Sequence, residues 1–221
     1  MVLHKMAFGN LKWRVAQFFE LWWWRFYFKS KQKHTYLEWK KKYWESVFKK
    51  VESVLHIQPQ QQILELGCGP AGCFIFLNKN TITAVDPLLL AYEQKLPFFN
   101  PKEYGHVTFI PASIEAASIH HSFDVVLCFN AINHVRDIQL CLKRLCSWVK
   151  PGGRVLLSVD AHRHGILKNI FATIPGDILH PHQYTLQEYE ALCSMVGLHK
   201  ENVILLKQES IFSHYLLVLS K

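Results

Sequence analysis

Residues 63–72 read Ile-Leu-Glu-Leu-Gly-Cys-Gly-Pro-Ala-Gly, an apolar run followed by three closely spaced glycines. The apolar run is typical of a buried strand, and the glycines predict a tight turn after which a helix begins near Gly72. Glycine permits positive φ angles in such a turn and lets backbone N–H groups approach a ligand without a Cβ in the way. Because a helix N-terminus favours electron-rich atoms, we expect a ligand to bind at this turn.

The segments after the glycine turn alternate between strand patterns and helix patterns. Strands are predicted at residues 63–66, 82–85, 107–110, 123–129 and 154–159, with a final antiparallel pair at residues 203–206 and 213–219. Repeated strand–helix–strand units form a parallel sheet with right-handed crossovers, in which ligands collect at the carboxyl ends of the strands. We therefore predict an α/β fold: a doubly wound, mostly parallel seven-stranded sheet with an antiparallel last strand, plus an N-terminal helical arm.

Helix boundaries are predicted from capping signals. Residues 35–38 and residues 185–188 each read Thr-x-x-Glu, the spacing of a capping box that satisfies free N–H groups where a helix begins. Gly197 follows the second of these helices, where a terminating glycine is expected. Residues 73–78 are expected to form the first crossover helix, and residues 137–149 a later helix that packs on the sheet.

Positive charge is concentrated at the N-terminal end of the chain. The formal net charge is +8, and residues 1–58 hold 12 Lys and Arg against 4 Asp and Glu, whereas the remainder holds 13 of each. The body of the chain is therefore neutral, which argues against a basic nucleic-acid groove across it. We expect no nucleic-acid partner.

Cysteine usage and hydropathy indicate a cellular compartment. None of the six cysteines forms a Cys-x-x-Cys pair, and several lie in apolar segments as small hydrophobic residues do. The sequence has no secretory apolar region and no run of 18 apolar residues. We expect a reducing, cytoplasmic location.

Four sequence blocks together carry a resemblance to a known family. They are residues 63–72, Asp86 at the end of the second strand, residues 123–129 (FDVVLCF) and residues 150–157 (KPGGRVLL). In this order and spacing they resemble the class I S-adenosylmethionine-dependent methyltransferases, and the resemblance covers about residues 35–221. The spacing Gly-x-Gly-x-x-Gly alone also fits a dinucleotide site.

The resemblance implies contacts to S-adenosyl-L-methionine. The glycine turn would hold the methionine part, Asp86 the ribose, and Ser113 with Ile114 the adenine. The family often has an acidic residue just after the third strand, but here that position is Ala112, so the adenine contact is less well defined. The residues implied in cofactor binding are Glu65, Gly67, Cys68, Gly69, Gly72, Asp86, Pro87, Ser113, Ile114 and Asn130.

A group of histidines and aspartates follows the fifth strand. Its members are Asp160, His162, His164, Asp177, His180 and His182. Such a group could bind a metal, contribute a base for an acceptor with a tightly held proton, or serve a structural role. The spacing of His162 and His164 suits a strand more than a helix. We therefore predict no metal, and we take His162 or His182, oriented by Asp160 or Asp177, as the catalytic candidates.

The N-terminal arm is rich in aromatic and basic residues. Residues 1–34 form this arm and residues 35–221 the methyltransferase domain. Six of the seven tryptophans lie in residues 1–58. The arm is interpreted as a lid over the substrate pocket, as an interfacial helix on a membrane surface, or as an RNA-stacking element.

Methyl transfer to a small, apolar or amphipathic acceptor is the predicted function. A nicotinamide-dependent oxidoreductase is the main alternative, because the glycine spacing allows NAD. Glu65 before the turn and the Pro-Gly-Gly turn at residues 151–153 favour methyl transfer. A membrane-associated protein that binds the cofactor without turnover is the third alternative.

Overall fold

A computed structural model describes residues 2–29, 31–162, 184–209 and 212–221, with side chains from residue 13 onward. The strands are β1 (Gln62–Leu66), β2 (Thr81–Val85), β3 (Val107–Ile110), β4 (Phe123–Cys128), β5 (Val149–His162), β6 (His199–Gln208) and β7 (Phe212–Ser220). The α-helices in these ranges are α1 (Val2–Phe28), α2 (Lys33–Val51), α3 (Leu89–Lys95), α4 (Ile138–Trp148) and α5 (Leu186–Met195).

All seven strands form one sheet in the order β3-β2-β1-β4-β5-β7-β6. The pairs among β1 to β5 are parallel, whereas β7 is antiparallel to both β5 and β6. The predicted fold class is confirmed. The chain reverses its direction of progress across the sheet between β1 and β4, and in open α/β sheets ligands bind at such a point.

Helices cover both faces of the sheet and create two apolar cores. One core joins α1, α2 and α3 to the sheet, and the other joins α4 and α5 to the opposite face. Leu21 and Phe28 of α1 are buried in the first core. The centroid of the Phe28 ring lies 4.7 Å from that of Tyr36, in an edge-to-face contact, and 4.7 Å from that of Phe98, in a tilted contact. The N-terminal helix therefore packs as part of the folded body.

The segment after β1 differs from the prediction. Two 3₁₀ turns, Gly69–Ala71 and Cys73–Ile75, replace the expected crossover helix. Pro70 lies in the first of these turns. The buried Glu65 carboxylate accepts hydrogen bonds from the backbone N–H groups of Cys73 and Phe74. Because a side chain already satisfies these donors, the turn is held without a longer helix.

The two predicted capping boxes have different outcomes. The box at Thr185 and Glu188 is present, and Gly197 follows α5 with φ +87°. The box at Thr35 was a wrong prediction, because α2 begins three residues earlier than this box requires, at Lys33 after the N-cap Gln32. The N–H of Lys31 donates to the carbonyl of Phe28 at 3.1 Å, and the second helix begins two residues after Lys31.

No helix within residues 2–29, 31–162 and 184–209 is both long enough and apolar enough to cross a membrane. All six cysteines are buried and unpaired, as expected for small hydrophobic residues.

Candidate active site

The buried carboxylate of Glu65 fixes the glycine turn through hydrogen bonds. Its Oε1 accepts from the N–H of Cys73 at 2.7 Å, and its Oε2 accepts from the N–H of Phe74 at 3.1 Å. A Cβ on Gly72 would lie 2.2 Å from Glu65 Oε1, so glycine is required for the carboxylate to fit. A Cβ on Gly67, which has φ +66°, would lie 2.2 Å from Ala131 Cβ. Both glycines therefore permit close approach between the turn and its neighbours.

The buried Glu65 carboxylate lies in the electrostatic field of Lys40. Burial raises the pKa of Glu65 to about 7, while its hydrogen bonds and Lys40 act in the opposite direction. Burial also lowers the pKa of Lys40 to about 8, against the attraction of Glu65. The Lys40 ammonium lies 4.3 Å from the ring centroid of Tyr43 and 4.8 Å from that of Trp44. A half-buried cation is therefore held beside the glycine turn.

Asp86 ties the end of β2 to the same turn. Its Oδ2 accepts from the N–H of Gly69 at 3.0 Å, and its Oδ1 accepts from the N–H of Leu88 at 2.8 Å. Burial, and then the nearby Glu20, raise the pKa of Asp86 to about 7. A carboxylate has about four acceptor positions, so two N–H bonds leave capacity for a ligand hydroxyl.

A cavity of about 550 Å³ lies over the glycine turn. Six of the predicted cofactor residues line it: Gly67, Asp86, Pro87, Ser113, Ile114 and Asn130. Glu65 is 2 % exposed and lies beneath the turn, where it holds Cys73 and Phe74. Cys68, Gly69 and Gly72 form the turn itself and are not among the residues that line the cavity. The structure thus separates residues that face the cavity from residues that shape its floor.

Helix α1, for which one interpretation was a lid over the substrate pocket, supplies one wall of this cavity. The residues that α1 contributes are Trp13, Ala16, Gln17, Phe19, Glu20, Trp23 and Trp24. Glu20 accepts from the hydroxyl of Tyr92 at 3.2 Å, and burial raises its pKa. A Cβ on Gly69 would lie 3.9 Å from the Trp24 ring. The spacing of residues 13, 17, 20 and 24 on one helix face was the available signal.

Glu115 is a second cavity residue that the prediction missed. It follows β3 by a few residues and lines the cavity, and its Oε1 accepts from the N–H of Arg136 at 2.8 Å. The hydrogen bonds it accepts, together with Arg136, lower its pKa despite partial burial. An acidic residue is therefore present three positions after Ala112, the position at which the resembling family often has an acid.

A second cavity of about 560 Å³ opens between α2 and the β6–β7 pair. Its wall includes Tyr43 and Val47 of α2, Phe212 and His214 of β7, and Asp160 of β5. Asp160 and His214 are paired across neighbouring strands, and Asp160 Oδ1 lies 2.5 Å from His214 Nδ1. Asp160 and the burial of Tyr43 both raise the pKa of the Tyr43 phenol, with burial the larger cause.

The predicted histidines have different positions. His162 is 4 % exposed, its ring lies 4.3 Å from that of Phe212, and its N–H donates to the carbonyl of Tyr184 at 3.0 Å. It is not among the residues that line either cavity. His164, His180 and His182 lie outside the described residues, as does Asp177. In the part of the chain that the structure describes, no three His, Cys, Asp or Glu side chains meet as metal ligands would.

Asn130 lines both cavities. It follows β4 with φ +52°, a value that asparagine tolerates better than most residues. Its N–H donates to Ser158 Oγ at 2.8 Å, and that hydroxyl in turn donates to Asn130 Oδ1 at 3.2 Å. Asn133 nearby donates its amide to the carbonyl of Asp160 at 3.3 Å. The loop after β4 therefore lies between the two cavities, and the hydrogen bonds of Asn130 and Asn133 fix it to β5.

The strand order, the glycine turn at the reversal point and the acidic end of β2 define a nucleotide-cofactor fold of the Rossmann-like kind. Residues 15–202 match the family described as "Methyltransferase domain". The chain belongs to this methyltransferase family.

Curated and solved relatives agree with this assignment. The chain is 31% identical over 106 residues to the mitochondrial ubiquinone biosynthesis O-methyltransferase of Schizosaccharomyces pombe, which covers 44% of this chain and 37% of that enzyme. The chain thus spans well under half the length of that relative.

Solved structures share the fold at low identity. The Burkholderia thailandensis 1,6-didemethyltoxoflavin-N1-methyltransferase, solved with 1,6-didemethyltoxoflavin and S-adenosylhomocysteine, aligns with TM-score 0.62 and 15% identity over 99% of this chain and 89% of that one. A Haemonchus contortus phosphoethanolamine N-methyltransferase 2 with S-adenosyl-L-methionine aligns with TM-score 0.64 and 16% identity over 80% and 52%.

Proposed function

We propose that the protein binds S-adenosyl-L-methionine in the cavity beneath α1 and transfers its methyl group to a small-molecule acceptor. One observation carries this proposal: Asp86, Gly67, Ser113, Ile114 and Asn130 come from four separate loops and line one cavity of about 550 Å³. This cavity lies at the carboxyl ends of β1 and β4, where the strand order reverses. Open α/β sheets bind their ligands at such a point.

Each part of the cofactor has a matching group. The ribose hydroxyls would donate to Asp86, which keeps acceptor capacity beyond its two backbone bonds. The adenine would lie against Ile114 and Val135, beside Ser113. The methionine part would lie at the glycine turn, where Gly67 lines the cavity. When bound, the cofactor supplies an electrophilic methyl group on a sulfonium.

Isothermal titration of the full chain with S-adenosyl-L-methionine and with NAD tests this assignment. We expect heat of binding with S-adenosyl-L-methionine and none with NAD. Binding of NAD alone would identify an oxidoreductase. Transfer of a labelled methyl group to any acceptor would exclude a protein that binds the cofactor without turnover.

The acceptor is proposed to be a small and partly apolar molecule. The second cavity combines Tyr43, Val47, Leu206 and Phe212 with polar groups, and it meets the cofactor cavity at Asn130. Its volume of about 560 Å³ suits a small molecule rather than a folded protein or a nucleic acid. We propose no nucleic-acid partner, since the positive excess of the chain lies in residues 1–58.

The outer face of α1 favours a second role, contact with a membrane surface. Phe18, Trp22 and Phe26 are 65%, 55% and 67% exposed and repeat every four residues, so they form one stripe. Arg14, Arg25 and Lys29 are exposed beside this stripe in helical projection. Aromatic rings prefer the membrane interface, and each cation near anionic lipid contributes roughly 1 kcal/mol. The inner face of the same helix would at the same time cover the cofactor.

Sedimentation with vesicles of phosphatidylcholine and phosphatidylserine tests the membrane role. We expect the full chain to sediment with them at low salt and to be released as salt screens the cations. The variant Phe18→Ser/Trp22→Ser/Phe26→Ser should lose sedimentation and keep cofactor binding. Equal sedimentation of variant and wild type would contradict this role.

A further inference from the structure

The second cavity contains an acid–histidine pair that no sequence motif predicts. Asp160 and His214 are 54 positions apart in the chain and are brought together by the antiparallel register of β5 and β7. The Asp160 carboxylate lies 2.5 Å from His214 Nδ1, and both side chains line the cavity. The side chain of His214 is 18% exposed and that of Asp160 is 36% exposed, so the pair is sheltered and still reachable.

The geometry of this pair fixes the chemistry of the imidazole. When Nδ1–H donates to a carboxylate, the neutral ring carries its lone pair on Nε2, and that nitrogen can accept a proton. The carboxylate also stabilises the imidazolium that forms afterwards, as in other acid–histidine pairs. The arrangement is therefore suited to general-base catalysis, for which a base must lie in a substrate cavity.

Neighbouring groups complete an acceptor site. Tyr43 faces the same cavity with a raised pKa, so its phenol keeps its proton and can donate a hydrogen bond. Phe212 and Val47 offer apolar surface, and Asn133 connects the cavity to the carbonyl of Asp160. A ligand that combines an apolar ring with an ionisable hydroxyl matches this set of groups.

We propose that His214 is the general base for the methyl acceptor, with Asp160 as its positioning residue, and that the acceptor class is a small hydroxylated aromatic molecule. The proposal rests on the function proposed above. The hydroxyl oxygen attacks the methyl carbon, the electrons of the carbon–sulfur bond remain on sulfur, and the hydroxyl proton passes to His214 Nε2. The products are a methyl ether, a neutral thioether and an imidazolium that returns its proton to water.

This assignment changes the role expected of the predicted histidines. Asp160 keeps the orienting role predicted from sequence, but its partner becomes His214. His162 is packed against Phe212 outside the lining of the cavity, which suits a structural role. The alternative for the pair itself is a cross-strand contact that only stabilises the sheet, and the experiment must distinguish these two roles.

The absorbance of bound 4-nitrocatechol distinguishes them, because its phenol and phenolate forms absorb at different wavelengths. The full chain is saturated with S-adenosylhomocysteine and titrated with 4-nitrocatechol at a pH where the free compound is mostly protonated. We expect wild-type protein to bind it as the phenolate. His214→Gln should bind it mainly as the phenol, and Asp160→Asn should give an intermediate spectrum. His199→Gln, an exposed histidine on β6, is the matched control and should behave as wild type.

Turnover provides a second readout. Catechol, which has a less acidic hydroxyl than 4-nitrocatechol, should lose about 100-fold in kcat in His214→Gln, since general bases contribute at least about this factor. 4-Nitrocatechol should lose less, because it needs the base less. Equal losses with both acceptors, or a bound spectrum unchanged by His214→Gln, would overturn the base assignment.

Failure of this proposal is separable from failure of the proposed function. Titration with S-adenosylhomocysteine first shows whether each variant is folded and binds the cofactor product. If His214→Gln fails this check, Asp160→Asn alone must shift the spectrum, and an unshifted spectrum counts against the pair. Wild-type protein that binds S-adenosylhomocysteine but not 4-nitrocatechol contradicts only the acceptor class. Wild-type protein that binds neither contradicts the proposed function itself.

Discussion

The two cavities have nearly equal volume but are built in different ways. The cofactor cavity rests on one continuous turn at residues 67–72, whose floor is fixed by Glu65 and whose wall is α1. The second cavity, which is the proposed acceptor cavity, has no continuous motif, and its main polar pair comes from β5 and β7 by strand register. A local motif can therefore mark a candidate cofactor site in the sequence, whereas the proposed acceptor side depends on tertiary contacts.

The wall that α1 provides should be the most sensitive feature. Phe28→Ala removes a ring that is 4% exposed and packed against Tyr36 and Phe98. We expect a loss of about 3–5 kcal/mol in the free energy of unfolding, measured by urea denaturation. Phe26→Ala on the outer face, where the ring is 67% exposed, should change it by less than about 0.5 kcal/mol. Equal losses would mean that α1 does not pack on the body.

The floor of the cofactor cavity should respond next. Gly72→Ala places a Cβ 2.2 Å from Glu65 Oε1 and 2.7 Å from the Cys68 carbonyl oxygen, so the buried carboxylate must move. We expect a destabilisation of about 1–3 kcal/mol together with weaker cofactor binding. Gly105→Ala, whose Cβ would meet nothing within 4 Å, is the matched control. A Gly72→Ala protein as stable as this control would contradict the support role of Glu65.

Asp86 tests the cofactor cavity without disturbing the acceptor cavity. Asp86→Asn should weaken S-adenosyl-L-methionine binding by about 1–3 kcal/mol, since the ribose hydroxyls lose a charged acceptor. Calorimetry gives this change directly. The spectrum of bound 4-nitrocatechol should stay the same, because Asp86 does not line the acceptor cavity. Unchanged cofactor affinity would argue against the ribose contact.

The smallest expected effect is a pH dependence of cofactor binding. Asp86 has a raised pKa of about 7 in the folded protein, with Glu20, Cys68 and Tyr92 as its titratable neighbours. The native state therefore holds the extra proton between about pH 4 and 7, and the stability contributed by this group falls as pH rises through that window.

Ribose hydroxyls bind the ionised carboxylate better, so affinity for S-adenosyl-L-methionine should rise as pH increases through about 7, by up to about tenfold. Asp86→Asn should remove this part of the dependence. Glu20→Gln should move it to lower pH, because a negative neighbour that raises the Asp86 pKa is gone. A pH profile that is identical in wild type and Asp86→Asn would contradict the assignment.

The sequence was sufficient for the sheet and for the position of the glycine turn, because apolar periodicity and the glycine spacing are local signals. It could not predict that Glu65 would hold Cys73 and Phe74 and so replace the expected helix by 3₁₀ turns. The start of α2 was also missed, since α2 begins at Lys33 after Gln32, a residue whose side chain makes no capping hydrogen bond and therefore gives no capping signal.

The acceptor side shows the limit more clearly. Asp160 was singled out because it follows a predicted strand, but its partner was sought among nearby histidines. His214 was passed over because its strand carries no motif, and only the pairing of β5 with β7 brings it to Asp160. Glu20 and Lys40 were likewise hidden within helices whose inner and outer faces cannot be separated without the neighbouring elements.

The most direct measurement of the central claim is a crystal structure of the full chain with S-adenosylhomocysteine. We expect electron density beneath α1, with the ribose hydroxyls within hydrogen-bond distance of the Asp86 carboxylate and the thioether end toward Asn130. Density in the cavity that contains Asp160 and His214, or a cofactor product bound away from Asp86, would contradict it.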